Sequence, residues 1–242
     1  PNADHSLKNL VKEGKNLLRF KPEFFSVTFG AGGGTRKKTL SAANCLYEKL
    51  NVPIAPHISC VSLNAELAKK TIDEYLEAGH KRLVVLRGDM PSGVPINSEF
   101  RYAKDLVEFI SDEFEESIYI DVAAYPECHP ESLNFVDDLK HFKKKVEAGA
   151  NRAITQYFFN CDSYYRFIED CKKMGIEIPI LAGLMPISNG EGILRFSKKC
   201  NADIPKWLRN KIEYYSDDND SLIKLGIDFV TSMCESLIDN DV

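Results

Sequence analysis

Six short apolar runs in this chain are each followed by side chains that could bind or react. Thr28 precedes the turn Gly30-Ala31-Gly32-Gly33-Gly34. Pro56-His57 closes the second run, and Arg87-Gly88-Asp89 follows the third. The fourth leads into Tyr125-Pro126-Glu127-Cys128-His129, the fifth ends at Thr155-Gln156, and the sixth runs on to Pro186-Ile187-Ser188-Asn189. These are hydrogen-bonding groups and aromatic faces with few paired carboxylates, a set that suits holding a planar cofactor better than hydrolysis. No Ser-His-Asp order, Walker loop or H-E-x-x-H helix is present.

Each group also has a plainer reading. The glycine run is not a G-x-G-x-x-G fingerprint, because Thr35 takes the last position, and alone it reads as a flexible turn. His57, placed directly after a strand, could be a half-buried, hydrogen-bonded histidine. Arg87 and Asp89 could form a simple ion pair. Lys143-Lys144-Lys145 near a helix end reads as a solvated face that favours the helix dipole. Gln156 can both give and accept hydrogen bonds and is expected to face a pocket. His57, His129 and Asp89 match no recurrent ligand spacing, so no metal is expected.

The elements that must position these residues follow from periodicity. Short apolar or β-branched runs at 24–29, 54–58, 82–86, 118–124, 153–157 and 177–181 predict strands. Helical spacing predicts helices over 6–18, 38–49, 65–78, 99–111, 133–148, 163–174, 191–200, 206–215 and 221–238, with Leu7, Leu10, Val11, Leu17 and Leu18 near one face of the first. Gly79, Gly149 and Gly175 stand where helices should end. Strands separated by helices imply a parallel sheet, and a doubly wound sheet and a closed barrel both fit the pattern. Because the chain opens and closes on helices, the expected fold is α/β, a (β/α)8 TIM barrel whose first and eighth strands are absent from the 242 residues. Residues 1–242 are then a single catalytic barrel domain, incomplete at both ends, and reactive groups should gather at the carboxyl ends of the strands.

Composition removes other classes. With 31 Lys and Arg against 36 Asp and Glu, the net charge of −5 argues against a nucleic-acid or anionic-membrane partner. No run approaches the roughly 20 apolar residues of a membrane span. The N-terminal residues show no secretory signal, and seven scattered cysteines without a C-x-x-C pair read as reduced thiols, so a cytoplasmic protein is expected. Unpaired sheet edges would favour association, and a homo-oligomer is expected.

The strand-end set resembles the methylenetetrahydrofolate reductase family, flavin-dependent barrels of one-carbon metabolism. The likeness is carried by Ser26-Val27-Thr28-Phe29-Gly30-Ala31, Ala55-Pro56-His57, Leu86-Arg87-Gly88-Asp89, Val122-Ala123-Ala124-Tyr125-Pro126-Glu127 with His129-Pro130, and Gly149-Ala150-Asn151-Arg152-Ala153-Ile154-Thr155-Gln156. It continues through Gly183-Leu184-Met185-Pro186-Ile187-Ser188-Asn189 and Ile204-Pro205. The resemblance implies that Thr28, His57, Leu86, Arg87, Gly88, Asp89, Tyr102, Tyr125 and His129 surround FAD. Asp138, His141, Lys144 and Lys145 are implied on the nucleotide side; His141 stands where the family also shows Asn, and Lys144 where it also shows Arg.

Asp89 is implied as the catalytic carboxylate that tunes flavin and folate. Gln156 is implied to bind the pterin, and Phe196 to pack on the folate's aminobenzoyl ring or on a folded nicotinamide nucleotide. From periodicity alone Phe196 reads as a core contact of its helix. The implied chemistry is ping-pong. Hydride passes from NADH or NADPH to FAD, and then from flavin to the methylene carbon of 5,10-methylenetetrahydrofolate, giving 5-methyltetrahydrofolate. The family's general acid is a Glu on the first strand, expected to precede Pro1. Glu23 is rejected for that role because it begins a strand at the amino end, far from the reactive face. The alternatives are a catalytically silent flavin- or folate-binding relative or subunit, and another flavin barrel oxidoreductase such as a proline dehydrogenase relative.

Overall fold

The structure, a computed structural model, describes residues 3–28, 36–61, 63–88, 98–240 and 242. Its elements are α1 (Ala3–Leu17), β1 (Phe25–Val27), α2 (Arg36–Leu50), β2 (Ile54–Ser59), α3 (Ala65–Glu77), β3 (Arg82–Leu86), α4 (Ala103–Phe114) and β4 (Tyr119–Ala124). There follow α5 (Phe135–Glu147), β5 (Arg152–Thr155), α6 (Cys161–Lys173), β6 (Ile180–Leu181), α7 (Gly190–Cys200), α8 (Lys206–Tyr214) and α9 (Asn219–Asp239). The strand–helix alternation read from periodicity is therefore present. Gly79, Gly149 and Gly175 have φ of +87°, +113° and +71°, as expected of helix-ending positions.

The chain divides into two compact units, Pro1–Val122 with Ala148–Asn151, and Ala123–Glu147 with Arg152–Val242. In the first, the strands follow chain order, β1 to β4, and every pairing is parallel, with registers such as Phe25↔Ile54, His57↔Val84 and Leu83↔Ile120. A doubly wound sheet reverses its order at a switch point, whereas four strands in unbroken order are what a barrel requires. Ile54, Ala55 and Ile58 of β2 and Leu83, Val84 and Val85 of β3 are all buried, so successive residues on both faces are covered, as parallel strands demand.

The first helix packs differently from expectation. Leu10 and Leu17 are exposed, while Val11 and Leu18 join the cluster of Ala43, Leu46, Leu50 and Ile54. The stripe that touches α2 runs through Gly14, where an added Cβ would collide with the Leu50 side chain. Helical spacing of 11, 14 and 18 thus passes through a residue with no side chain, which a count of apolar residues overlooks.

In the second unit β5 and β6 pair in parallel, Ala153 with Ile180. β6 is shorter than the predicted 177–181 because Pro179 has no N–H for the ladder. It contributes its carbonyl, which accepts from Ala153 N at 2.9 Å. Phe158 stacks on Tyr164 with centroids 5.3 Å apart, in a cluster with Met233 and Leu237 of α9. Leu208 and Ile212 of α8 pack with Ile187, Ile193 and Leu222. Trp207 at the start of α8 is half-exposed and meets the Phe229 ring edge-on at 5.6 Å. No helix among the described residues is long and apolar enough to cross a membrane, and the seven cysteines carry no disulfide.

Candidate functional site

In the first unit the residues singled out by sequence lie at or near the carboxyl ends of β1, β2 and β3. Thr28 follows β1, and its carbonyl accepts from the Thr39 hydroxyl of α2 at 3.5 Å. His57 is the fourth residue of β2, inside the strand expected over 54–58 and not directly after it, and β2 continues to Ser59 because Ile58 and Ser59 still pair with Val85 and Leu86. The Ser59 hydroxyl donates to the Arg87 carbonyl at 3.0 Å, and the Leu86 carbonyl accepts from Cys60 N at 3.1 Å. Gly88 turns away at φ +84°, and a Cβ there would occupy the place of Ser59 Oγ, so only glycine fits.

Asp89 and the Gly30–Gly34 run lie outside the described residues. Tyr102 stands at the start of α4 with an exposed ring; its N–H is capped by Asp105 Oδ2 at 2.8 Å and the Arg101 guanidinium lies 5.3 Å from its centroid.

Burial pulls the His57 pKa down to about 4, so the imidazole is neutral at physiological pH. A histidine whose folded pKa is depressed contributes stability that is present above its unfolded value of about 6.5 and is lost as pH falls toward 4. Two-dimensional NMR of the imidazole should find a midpoint near 4. Over the same window, stability should drop by something on the order of 3 kcal/mol relative to a His57→Gln variant. A midpoint above 6 would refute this.

In the second unit Tyr125 directly follows β4 and meets the His129 ring edge-on, centroids 4.6 Å apart. His129 Nδ1 accepts from Glu131 N at 3.0 Å, which assigns the proton of the neutral ring to Nε2. Asp138 of α5 binds the same turn, accepting from His129 N and from the Ser132 hydroxyl, both at 3.0 Å. The Lys145 ammonium turns inward to donate to the Ala123 carbonyl and lies 5.5 Å from the Phe142 centroid. Desolvation draws its pKa down to about 8, with Asp138 opposing the shift. His141 and Lys144, on the same helix, are exposed.

Gln156 follows β5 and its side-chain oxygen accepts from Tyr157 N at 3.1 Å. It borders a crevice together with Tyr125, Glu127, Cys128, Tyr157 and Cys200 that is too narrow to admit a water molecule, so among the described residues no open pocket lies at its amide. Phe196 of α7 is not a core residue: it is 44% exposed and stacked on Tyr157 at 5.8 Å. The structure thus brings Tyr125, His129 and Asp138 into one network, and Tyr125 and Gln156 to one crevice. His141 and Lys144 lie exposed on α5 and do not line the crevice at Gln156.

Glu23 ion-pairs with Arg82, the first residue of β3, at 3.8 Å. That places it at the amino ends of the strands, in agreement with its rejection as an acid. Sequence reasoning gave no role to Ser59, Glu127 or Asn201. Position alone, at or just after a strand end, was the signal available for the first two. Among the described residues no group of three or more His, Cys, Asp or Glu is placed to hold a metal ion.

Parallel strands carrying polar residues at their carboxyl ends define an α/β protein of the (β/α)8-barrel class. A solved structure from Clostridium thermocellum, described as an uncharacterized protein that binds two copies of 5-methyl-5,6,7,8-tetrahydrofolic acid, shares this fold. Its TM-score is 0.55 at 15% identity, over 93% of this chain and 88% of that one.

The family model described as methylenetetrahydrofolate reductase matches residues 1–242, and the chain belongs to that family of oxidoreductases. It is 39% identical over 236 residues to the 5,10-methylenetetrahydrofolate reductase of Buchnera aphidicola subsp. Schizaphis graminum, covering 96% of this chain and 78% of the relative. It is 33% identical over 251 residues to methylenetetrahydrofolate reductase (NADH) 1 of Arabidopsis thaliana, covering 98% of this chain and 42% of the plant protein.

Proposed function

We propose that the protein reduces 5,10-methylenetetrahydrofolate to 5-methyltetrahydrofolate with FAD as cofactor and NADH or NADPH as donor, in a ping-pong sequence. The carrying observation is the ordered set of Thr28, Arg87-Gly88, Tyr125 and Gln156 directly after parallel strands, in a chain matched along its whole length by the reductase family. We further propose that residues 1–242 act as one catalytic barrel domain and that the protein is a cytoplasmic homo-oligomer.

The donor set fits a flavin. His57 is a neutral imidazole, Gly88 is a backbone turn that admits no side chain, and Tyr125 and His129 present aromatic rings. FAD would be held by Thr28, His57, Leu86, Arg87, Gly88, Asp89, Tyr102, Tyr125 and His129, with Asp138, His141, Lys144 and Lys145 toward its nucleotide. When bound, it supplies a two-electron carrier that accepts hydride from the nicotinamide and delivers it to the methylene carbon.

The protein's own residues bind and orient. Gln156, its amide oxygen fixed by Tyr157 N–H, presents an amide to the pterin. Phe196 offers an exposed ring for stacking on the aminobenzoyl group or the nicotinamide nucleotide. Asp89 places a negative charge that disfavours an anionic reduced flavin. His57, neutral at working pH, adds hydrogen bonding without a competing positive charge.

The test is an anaerobic absorption spectrum of the purified protein with FAD. Bound flavin should bleach on adding NADH or NADPH and recover its colour on adding methylenetetrahydrofolate. A colourless protein that takes up no FAD sinks the reading, while bleaching without recovery supports a silent flavin-binding relative instead.

A further inference from the structure

Glu127 lies two residues beyond Tyr125, and no step above uses it. Its half-buried carboxylate accepts from the Ser163 hydroxyl of α6 at 3.2 Å through Oε1, and from Asp203 N at 2.9 Å through Oε2. Its backbone is held as well: Asn201, which ends α7 at φ +56°, donates through Nδ2 to the carbonyls of Glu127 at 3.4 Å and Cys128 at 3.1 Å. Between the anchored Glu127 and His129 sits Cys128 at φ +90°, a conformation an L-residue with a Cβ adopts only when its surroundings enforce it. The turn is therefore strained and clamped, by α6 through Ser163 and, with three of the four bonds, by the exit of the helix that carries Phe196.

We propose that Glu127 is a positioning residue that ties the 125–129 turn to the 201–203 exit of α7, so that order at the Tyr125–His129 rings and order at Phe196 are coupled. This rests on the flavin and folate roles proposed above. A ligand that orders the turn also orders α7, and the second ligand then meets a helix whose ordering cost has been met. Burial raises the Glu127 pKa, with the neighbouring Asp203 carboxylate adding to the rise. The tether works through geometry and not through net charge. A glutamine can reproduce it, accepting from Asp203 N–H through its oxygen and donating to Ser163 Oγ through its amide nitrogen.

Glu127→Ala, Glu127→Gln and Asn201→Gly test the coupling; the last keeps the left-handed backbone and removes only the side-chain donor. FAD dissociation constants come from calorimetry, and KM and kcat for methylenetetrahydrofolate are read at saturating FAD. Glu127→Ala and Asn201→Gly should each raise the FAD dissociation constant roughly tenfold and, with FAD saturating, still raise the folate KM roughly tenfold. Glu127→Gln should stay within about twofold of the parent on both.

An unchanged folate KM in Glu127→Ala overturns the proposal, as does a glutamine variant as impaired as the alanine. If Glu127→Ala does not fold, Asn201→Gly decides by the same two numbers. A parent protein that binds no FAD defeats the functional reading itself. A competent parent with unaffected variants defeats only the tether.

Discussion

Replacing Arg82 by methionine should cost about 2 kcal/mol or more of folding stability, because it removes one cation facing a buried carboxylate together with two ring contacts. Asp121 is fully buried, and its Oδ2 lies 3.7 Å from Arg82 Nη1. The same guanidinium lies between the Phe24 and Tyr119 rings, 4.7 and 4.3 Å from their centroids, and reaches Glu23 at 3.8 Å. One side chain therefore braces the amino ends of β1, β3 and β4 through charge and through stacking. Urea unfolding followed by far-UV circular dichroism measures the loss. The double variant Arg82→Met/Asp121→Asn should recover part of it, since the buried carboxylate that lost this cation is then neutral. A loss below about 1 kcal/mol, in the range of exposed ion pairs, would show that Asp121 does not depend on this cation.

Gly183→Val is expected to damage both stability and substrate handling. Gly183 N–H donates to Thr155 Oγ1 at 2.8 Å, and a Cβ at this position would fall on the Thr155 carbonyl oxygen, a backbone atom that cannot swing aside. Overpacking of this kind costs about 1–3 kcal/mol. Thr155 ends β5 and fixes where Gln156 begins, so a displacement there moves the amide proposed to hold the pterin. Misplacement by about 1 Å can cost on the order of a hundredfold in rate, and a fall of that size in kcat/KM for methylenetetrahydrofolate is expected. FAD uptake should change far less. Equal losses in FAD uptake and folate turnover would place the defect in the whole second unit and not at Gln156.

Sequence periodicity located elements where side-chain pattern and hydrogen bonding agree. β3 was predicted over 82–86 and is observed over Arg82–Leu86, because its apolar run is flanked by Lys81 and Gly88 and its interior is buried throughout. α4 was predicted from residue 99 and begins at Ala103. The Ser98 hydroxyl lies within reach of the carbonyls of Cys60, Leu63 and Phe100 for its single proton, and its oxygen accepts from Phe100 N at 3.2 Å, which holds residues 98–100 in a turn and delays the helix. The partners of that hydroxyl at Cys60 and Leu63 lie 38 and 35 positions away, beyond any local pattern.

The site divides in the same way. The positions of Thr28, Arg87, Tyr125 and Gln156 just after strands are legible because strand ends can be counted along the chain. Glu127 could be seen but not interpreted, since Ser163 and Asp203 lie 36 and 76 positions further on. His57 falls within the strand expected over 54–58, which the structure lengthens by Ser59, and its lowered pKa arises from burial that only the packed β2 supplies. Lys145 and Lys144 are neighbours of one residue type, yet α5 turns the first inward to Ala123 and leaves the second outside.

The protein carries a single indole, Trp207, half-exposed and edge-on to Phe229 within the second unit. Its fluorescence is thus a resident gauge of how α8 sits on α9, with no contribution from a tryptophan elsewhere in the chain. Emission and dichroism traces that separate during denaturation would reveal that the two units melt independently, without any label having been attached.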